Sequence, residues 1–429
     1  MALQNIINAK SGKKIKLQGF VDSIRNKKSI AFIVLRDITG KIQITIVKEK
    51  SPQFNDVIEK ITPESVITVT GTIKKNPEVK LNGIELLPSE LVLESIAATP
   101  LPIDSTSLID TRLDYRWIDL RSEKNSLVFK VQTLLTSAFR NFLLKKDFIE
   151  FHSPEIIATA SESGSEVFEL QYFDRKAYLA QSPQFYKQMA LASGWEKVFC
   201  CAPVFRAEKS NTNKHATEFT GFDLEFTGVE TVEDVMKMEE NLLVEGIKVV
   251  NKKYGKEIER LFNIPLPVPT LPFPRMDLNE VYAELEKRYG YKVPEEEKGD
   301  LPTEGEKLCK QLAHDKFKHE FIFITGYDTK KRAFYHTRVN GVAQGYDLIW
   351  RGVEITTGAK REHRYDILLS QAKEKGLDKD VQFYLDFFKY GMPPHGGFGV
   401  GLDRITMLIF GLTIKEAQFV FRGPNRLNP

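Results

Sequence analysis

Near its C-terminal end the chain reads HGGFGVGLDR, His395 to Arg404, with glycine at the alternate positions Gly397, Gly399 and Gly401. Alternate residues of a strand share one face, so this strand would present bare backbone on one side. Such a face serves either a flat ligand laid against the main chain or an element packed unusually close. The apolar run ITMLIFGL follows at once and predicts a helix with Arg404 at its start. The spacing matches neither a Walker loop, GxxxxGK[ST], nor a dinucleotide turn, GxGxxG with an acid about 20 residues on. On this stretch alone the ligand floor and the packing contact are both open.

A chain of 429 residues can hold two or three domains and bury a large core. A hydrophobic share of 42% beside 28% charged residues excludes a disordered or collagen-like chain and fits an ordinary globular one. There is no run of eighteen apolar residues, and MALQNIINAKSGKK lacks a signal-peptide core, so a cytoplasmic location without membrane contact is expected. Adjacent Cys200 and Cys201 with distant Cys309 fit neither a disulfide framework nor a zinc spacing. They read as small buried hydrophobes. The net charge is only +3, but residues 1 to 80 carry fifteen Lys or Arg against seven Asp or Glu. That asymmetry points to an N-terminal module facing a polyanion.

From Lys14 to about Leu93 the runs KIKLQGFVDSI, SIAFIVLRD, KIQITIVKE, SVITVTGTIKK and GIELLPSELVL alternate with turn residues, and SPQFNDVIEKI predicts a short helix after the third. Five strands in that interval fit an OB-fold barrel, a scaffold that binds single-stranded nucleic acid. TPLPIDSTSLIDTRLDYRWIDLR breaks the pattern and reads as a hinge. Leu127, Val131, Leu134, Leu135, Ala138 and Phe142 then recur at helical spacing, and DFIEFHSPEI follows as a strand. EFIFITGY, RAFYHTRV and AQGYDLIWRGVEIT predict further strands. The expected architecture is α+β: a barrel over residues 1–104, a hinge over 105–125, and over 126–429 an antiparallel sheet flanked by helices. In FRAEKSNTNKHATEFTGFDLEF, Arg206 and Glu208 share one strand face by period two, and Asp223 and Glu225 share another.

Together these segments resemble a class II aminoacyl-tRNA synthetase. FIEFHSPEI with Pro154 is similar to motif 1 (about 148–156), FRAE…FTGFDLE to motif 2 (about 205–225) and GGFGVGLDR to motif 3 (about 396–404). QSPQFYKQM resembles the aspartyl branch, and RGPNRLNP is close to its archaeal form. The resemblance implies an ATP-dependent ligase that activates aspartate and transfers it to tRNA for aspartate. An asparaginyl enzyme and a catalytically inactive RNA-binding paralogue are the rival readings; Lys187 and the DLE of motif 2 speak against the first.

By the same resemblance Arg206 and Arg404 are the catalytic cations, and Glu208, His215, Phe219, Glu354 and Gly401 join them around ATP. Glu162, Ser182, Gln184, Lys187, Asp223, Thr357 and Arg361 form the aspartate pocket, with Lys187 and a bidentate Arg361 on the side-chain carboxylate. Asp347, Glu354 and Thr357 hold Mg²⁺, whose preference is for hard oxygen ligands. Phe32, Gln43 and Glu85 read the anticodon by stacking and edge hydrogen bonds. The helix from Leu127 to Phe142 and the strand after it resemble the family's motif 1 interface, which implies a homodimer. Where many archaeal members carry an aromatic residue shortly after GW, this chain reads GFVD, with Asp22. Strict exclusion of tRNA for asparagine is therefore not implied.

Overall fold

Strands with in-out alternation build the first of two units, Met1–Ser105. They are β1 (Lys14–Asn26), β2 (Ile30–Asp37), β3 (Gly40–Val47), β4 (Val66–Lys75) and β5 (Ile84–Ser95). They close a barrel in the order β1-β2-β3-β5-β4. Ile15, Leu17, Ala31, Ile33, Leu35, Ile44 and Val69 fill its interior, and helix α1 (Asn55–Lys60) adds Ile58 beside Phe54. The computed structural model describes residues 1–159, 166–209 and 212–429.

The second unit, Thr106–Pro429, is built around one eight-stranded sheet. Its elements begin with the helices α2 (Ile109–Asp114), α3 (Arg116–Asp119) and α4 (Glu123–Leu144) and continue with β6 (Ile149–Glu150). A small three-stranded sheet follows, made of β7 (Ile156–Ile157), β8 (Glu169–Tyr172) and β9 (Arg175–Leu179). Then come α5 (Gln184–Ala192), β10 (Lys197–Phe205), β11 (Glu218–Thr227) and the long α6 (Val232–Phe262). The middle part holds β12 (Arg275–Asp277), α7 (Leu278–Tyr289), α8 (Thr303–Phe317), β13 (Phe321–Thr325) and the paired β14 (Arg338–Val339) and β15 (Val342–Ala343). The chain closes with β16 (Gly345–Trp350), β17 (Val353–Lys360), α9 (Tyr365–Glu374), α10 (Gln382–Phe388), β18 (His395–Gly401), α11 (Leu402–Phe410) and α12 (Ile414–Ala417).

The large sheet runs β12-β13-β16-β17-β18-β11-β10-β6. Only the outer pairs β12/β13 and β6/β10 are parallel, and the five inner pairings are antiparallel. The glycine strand β18 thus lies at the centre, between β17 and β11. One face, with Phe199, Phe222, Leu224, Phe398 and Leu348, packs in a single core with Val131, Leu135 and Phe139 of α4 and Leu242 and Leu243 of α6. The other face is left for the site.

Three sequence expectations need correction here. Motif 1 is not one strand: β6 is two residues long, and His152–Pro154 interrupts it before β7, as a proline without a ladder donor requires. RAFYHTRV is mostly irregular, with only Arg338 and Val339 in a strand and His336 in an isolated bridge to Arg361. Beside these, the segment 105–125 carries α2 and α3, and Arg116 within it is buried. Its guanidinium donates to the carbonyls of Gln418 (2.7 Å), Glu416 (2.9 Å) and Phe419 (3.1 Å), clasping the C-terminal segment. The apolar stripe of α4 is occupied by its own core: Val131, Leu135 and Phe139 are each 0% exposed, while Leu134 and Phe142 are half-buried at its edge. The stripe itself therefore does not call for a second copy of the chain.

Candidate functional site

The registers around β18 explain the alternate glycines. Gly399 faces Asp223 on one side and Thr357 on the other, and Gly397 faces Glu225 and Ala359. A Cβ on Gly397 would stand 2.2 Å from the carbonyl of Leu224 and 2.5 Å from Oε2 of Glu225. One on Gly399 would stand 2.7 Å from Oδ2 of Asp223. These two glycines make room for carboxylates folded across the strand. At Gly401 the nearest atoms, on Arg404, are 3.6 Å away, so that position tolerates a side chain.

Above this floor lies a cleft of about 290 Å³. It is lined by Ser182, Gln184, Arg206, Glu208, His215, Phe219, Asp223, Glu354, Thr357, Arg361, Gly401 and Arg404, all foreseen from the sequence. Lys187 and Asp347 lie just behind its wall through their partners Asp223 and Thr357. Glu162 lies outside the described residues.

At the inner end, two cations and two anions interlock. Lys187, on α5 and 0% exposed, donates to Oδ2 of Asp223 at 2.9 Å and stands 3.4 Å from Oε2 of Glu225. Arg361 donates through Nε to Oε1 of Glu225 at 2.8 Å. Its Nη2 reaches the carbonyl of Gly397 (3.0 Å) and Oε1 of Gln184 (3.3 Å), and Nη1 meets Nε2 of His336 at 3.1 Å. Burial works against each charge, yet the partners prevail. Lys187 is held above the usual lysine range by Asp223 and Glu225, and Glu225 below the usual carboxylate range by Arg361 and Lys187. Burial and then Arg361 push His336 well below the usual histidine range, so its Nε2 accepts. Four of the five Arg361 N–H groups are thereby engaged. The bidentate grip expected of Arg361 reduces to one free N–H, complemented by one on Lys187.

At the outer end, Arg206 and Glu208 fall just beyond β10 instead of sharing its face. The Arg206 guanidinium lies over the Phe219 ring at 5.4 Å and 3.7 Å from Glu208. Burial first, and then Arg404, Lys214 and Arg206, push His215 down to about 4, leaving it neutral near pH 7. Arg404 donates to the carbonyl of Glu354 at 2.9 Å and stands 3.8 Å from its carboxylate. Burial, and next the charge of Asp347, raise Glu354 to about 6.

The hydroxyl of Thr357 donates to Asp347 at 2.7 Å, and its oxygen lies 3.3 Å from Oε1 of Glu354. Two neighbouring carboxylates with a hydroxyl between them suit a hard cation that takes its remaining ligands from phosphate and water. Among the described residues no group of three or more His, Cys, Asp or Glu side chains could hold a metal ion unaided.

Sequence reasoning left several members out of the site. Glu225 was legible as the period-two partner of Asp223. Arg332, which grips Asp347 through two hydrogen bonds of 2.8 and 2.5 Å with Tyr327 beneath it at 3.6 Å, had no periodic signal. His336 was hidden in a segment read as strand. Lys214 of the motif 2 loop is tied to Glu306 of α8 at 2.7 Å.

In the barrel, Phe32, Gln43 and Glu85 come together on the outer face. Phe32 pairs with Thr45 across β2 and β3, and Gln43 with Glu85 across β3 and β5. Gln43 donates to Thr45, whose hydroxyl donates to Glu85 at 2.5 Å, and Asn76 donates to the other Glu85 oxygen at 3.1 Å. Phe32 stays outside the barrel core, half-buried, with Arg25 over its ring at 5.3 Å.

Residues 108–421 match the family described as tRNA synthetases class II (D, K and N), and residues 15–93 match the OB-fold nucleic acid binding domain. An aspartate–tRNA(Asp/Asn) ligase of Methanopyrus kandleri is 41% identical over 98% of this chain and 97% of its own. An aspartate–tRNA(Asp) ligase of Pyrococcus abyssi is 41% identical with the same coverage. The crystal structure of an asparaginyl-tRNA synthetase from Pyrococcus horikoshii complexed with asparaginyl-adenylate superposes with a TM-score of 0.88, at 33% identity over 98% of this chain and 97% of that one.

Proposed function

From the premise that the chain belongs to the class II tRNA synthetases of the D, K and N group, we propose that it is an ATP-dependent aspartate–tRNA ligase. The observation that carries aspartate is the enclosed set Lys187, Arg361, Asp223 and Glu225. Its two cations each keep one N–H unengaged, enough for the two oxygens of a side-chain carboxylate. A carboxamide would turn an N–H toward one of those donors. Asp223 and Glu162 take the substrate ammonium, and Ser182 and Gln184 border the same pocket.

The α-carboxylate of aspartate attacks the α-phosphorus of ATP in line. A carboxyl–phosphate bond forms and pyrophosphate leaves. The nucleophile is already an anion at pH 7, so no general base is needed. Arg206 neutralises charge on the α-phosphate, and Arg404 meets the terminal phosphates. Phe219 and Arg404 sandwich the adenine, with Glu208 and Gly401 at its border. Asp347, Glu354 and Thr357 would hold Mg²⁺, which supplies charge neutralisation for the phosphates when bound. The terminal ribose hydroxyl of tRNA then attacks the anhydride carbonyl, forming the ester and releasing AMP, beside the His215 loop.

Phe32, Gln43 and Glu85 read anticodon bases, an assignment supported by their shared outer face. Asparagine tRNA as a second acceptor is the finer reading. It is favoured by Asp22, held by Lys41 at 2.8 Å and Arg36 at 3.2 Å where an aromatic reader is common. The ligase works in the cytoplasm as a homodimer; Leu144, Ile149, Ile156 and Phe173, exposed between α4 and β9, supply the apolar surface for a second copy. A monomer in sedimentation at micromolar concentration would count against that.

Aspartate-dependent exchange of pyrophosphate into ATP without tRNA tests the central claim. Exchange with aspartate and none with asparagine is expected; the reverse, or none with either, overturns it.

A further inference from the structure

Behind Arg361 and Glu225, a chain of enclosed side chains runs from the pocket residue Gln184 through Gln188 to His395. Gln188 and His395 are each 0% exposed. His395 opens β18, and its Nδ1 stands 2.8 Å from the carbonyl oxygen of Pro393. A carbonyl only accepts, so Nδ1 carries the hydrogen, and Nε2 of the neutral ring is a bare acceptor. Burial pushes this imidazole down to about 4, which keeps it neutral near pH 7.

Nε2 of His395 is met at 2.8 Å by Nε2 of Gln188, which must donate. That fixes the Gln188 amide, and its oxygen turns the other way to accept from Nε2 of Gln184 at 3.0 Å and from the Tyr384 hydroxyl at 3.0 Å. Gln184 is fixed in turn. Its nitrogen also faces Oε2 of Glu225 at 3.4 Å, and its oxygen faces Nη2 of Arg361 at 3.3 Å. Direction passes from one ring nitrogen on β18, through two side chains of α5, to the cation at the pocket's end.

We propose that His395 is a positioning residue for amino-acid specificity: acting through Gln188, it locks Gln184 with oxygen toward Arg361 and nitrogen toward Glu225, and so decides which guanidinium N–H is left for the substrate. Without an acceptor at that ring position the Gln188 N–H loses its partner, and the Tyr384 hydroxyl, which can donate or accept, does not by itself set the sense of the amide; a turned Gln188 presents an N–H to Gln184, against the orientation that Arg361 and Glu225 require of it. The inference rests on the reading of this pocket as the aspartate site.

The test is pyrophosphate exchange by the full-length chain and its variants. His395→Phe keeps a ring without the acceptor, and Gln188→Met cuts the chain one link further on. Each should raise the Michaelis constant for aspartate about tenfold, as expected for a hydrogen bond to a charged group, and leave that for ATP within about twofold. Aspartate should also lose about tenfold of its advantage over asparagine. His395→Gln, whose amide oxygen can replace Nε2, should restore most of the aspartate affinity. An unchanged aspartate constant, or an equal loss for both substrates, overturns the proposal.

Should the variants fail to fold, nitrogen-15 spectra of the histidine rings in the unmutated protein decide. The Nδ1–H tautomer at His395 supports the relay, and the Nε2–H tautomer refutes it. An unmutated protein that shows no aspartate-dependent exchange fails the aspartate reading instead, while the tautomer still reports on the relay itself.

Discussion

Lys187 and Asp223 stand 2.9 Å apart, ammonium to carboxylate, with the lysine side chain 1% exposed. Breaking a buried pair leaves an uncompensated charge, at a cost of about 3–5 kcal/mol. Lys187→Ala should therefore lower stability. Both Lys187→Ala and Arg361→Ala should raise the aspartate Michaelis constant by about one to two decades, far more than that for ATP. Steady-state exchange kinetics check this, and equal effects on both substrates would remove the two cations from the aspartate pocket.

The three glycines of β18 should respond differently to alanine. Gly397→Ala meets a backbone oxygen at 2.2 Å and should destabilise by about 1–3 kcal/mol or prevent folding. Gly399→Ala presses on the Asp223 carboxylate and should act first on aspartate affinity. Gly401→Ala finds only contacts of 3.6 Å and should melt as the unmutated protein does. Thermal melts beside exchange kinetics give the order, and a Gly401 variant as unstable as the Gly397 variant would contradict the packing described.

A third expectation concerns the pH range from 5 to 8. Glu239 of α6 is 0% exposed and accepts from the Tyr346 hydroxyl at 2.5 Å; burial lifts it from 4.5 to about 8. The folded state thus holds a proton that the unfolded chain gives up above about pH 4.5. The stability linked to this proton is complete below that pH and is lost as pH rises through about 8. Glu239→Gln keeps an acceptor for Tyr346 and cannot ionise. Its stability relative to the parent should climb between pH 5 and 8, by a few kcal/mol in all, and then level off, on the order of the linkage for so large a shift. Denaturant midpoints across that range would show a flat difference if Glu239 is ionised in the fold.

In the barrel, Phe32→Ala should leave the fold intact, because Phe32 lies outside the core. Losing a stacked base costs about 1–3 kcal/mol, so charging of full-length tRNA should weaken while tRNA-free exchange persists. Normal charging by a folded Phe32→Ala variant would end the anticodon assignment.

Much of the fold was legible because alternation and helical spacing are properties of near neighbours. The barrel runs, the glycine face of β18 and the shared face of Asp223 and Glu225 could all be read from period two. Where a strand depends on what lies beside it, the reading failed: RAFYHTRV looks like a strand and is mostly irregular, and the proline-bearing motif 1 breaks after two residues. In the 105–125 segment the polar residues give no sign of their partners: Arg116 finds its carbonyls about 300 positions away.

By itself the sequence determined the two scaffolds and, through motifs that resemble a known family, most residues of the cleft. Only the tertiary structure decided how those residues are paired. Lys187 finds Asp223 36 positions on, Arg361 finds Glu225 across 136, and Gln188 finds His395 across 207. The physical reason is that local periodicity fixes which way a side chain points, whereas its partner is fixed by which strands become neighbours. With β18 seated between β11 and β17, buried charges and amides had one mutually satisfying arrangement, and no short stretch of sequence encodes it.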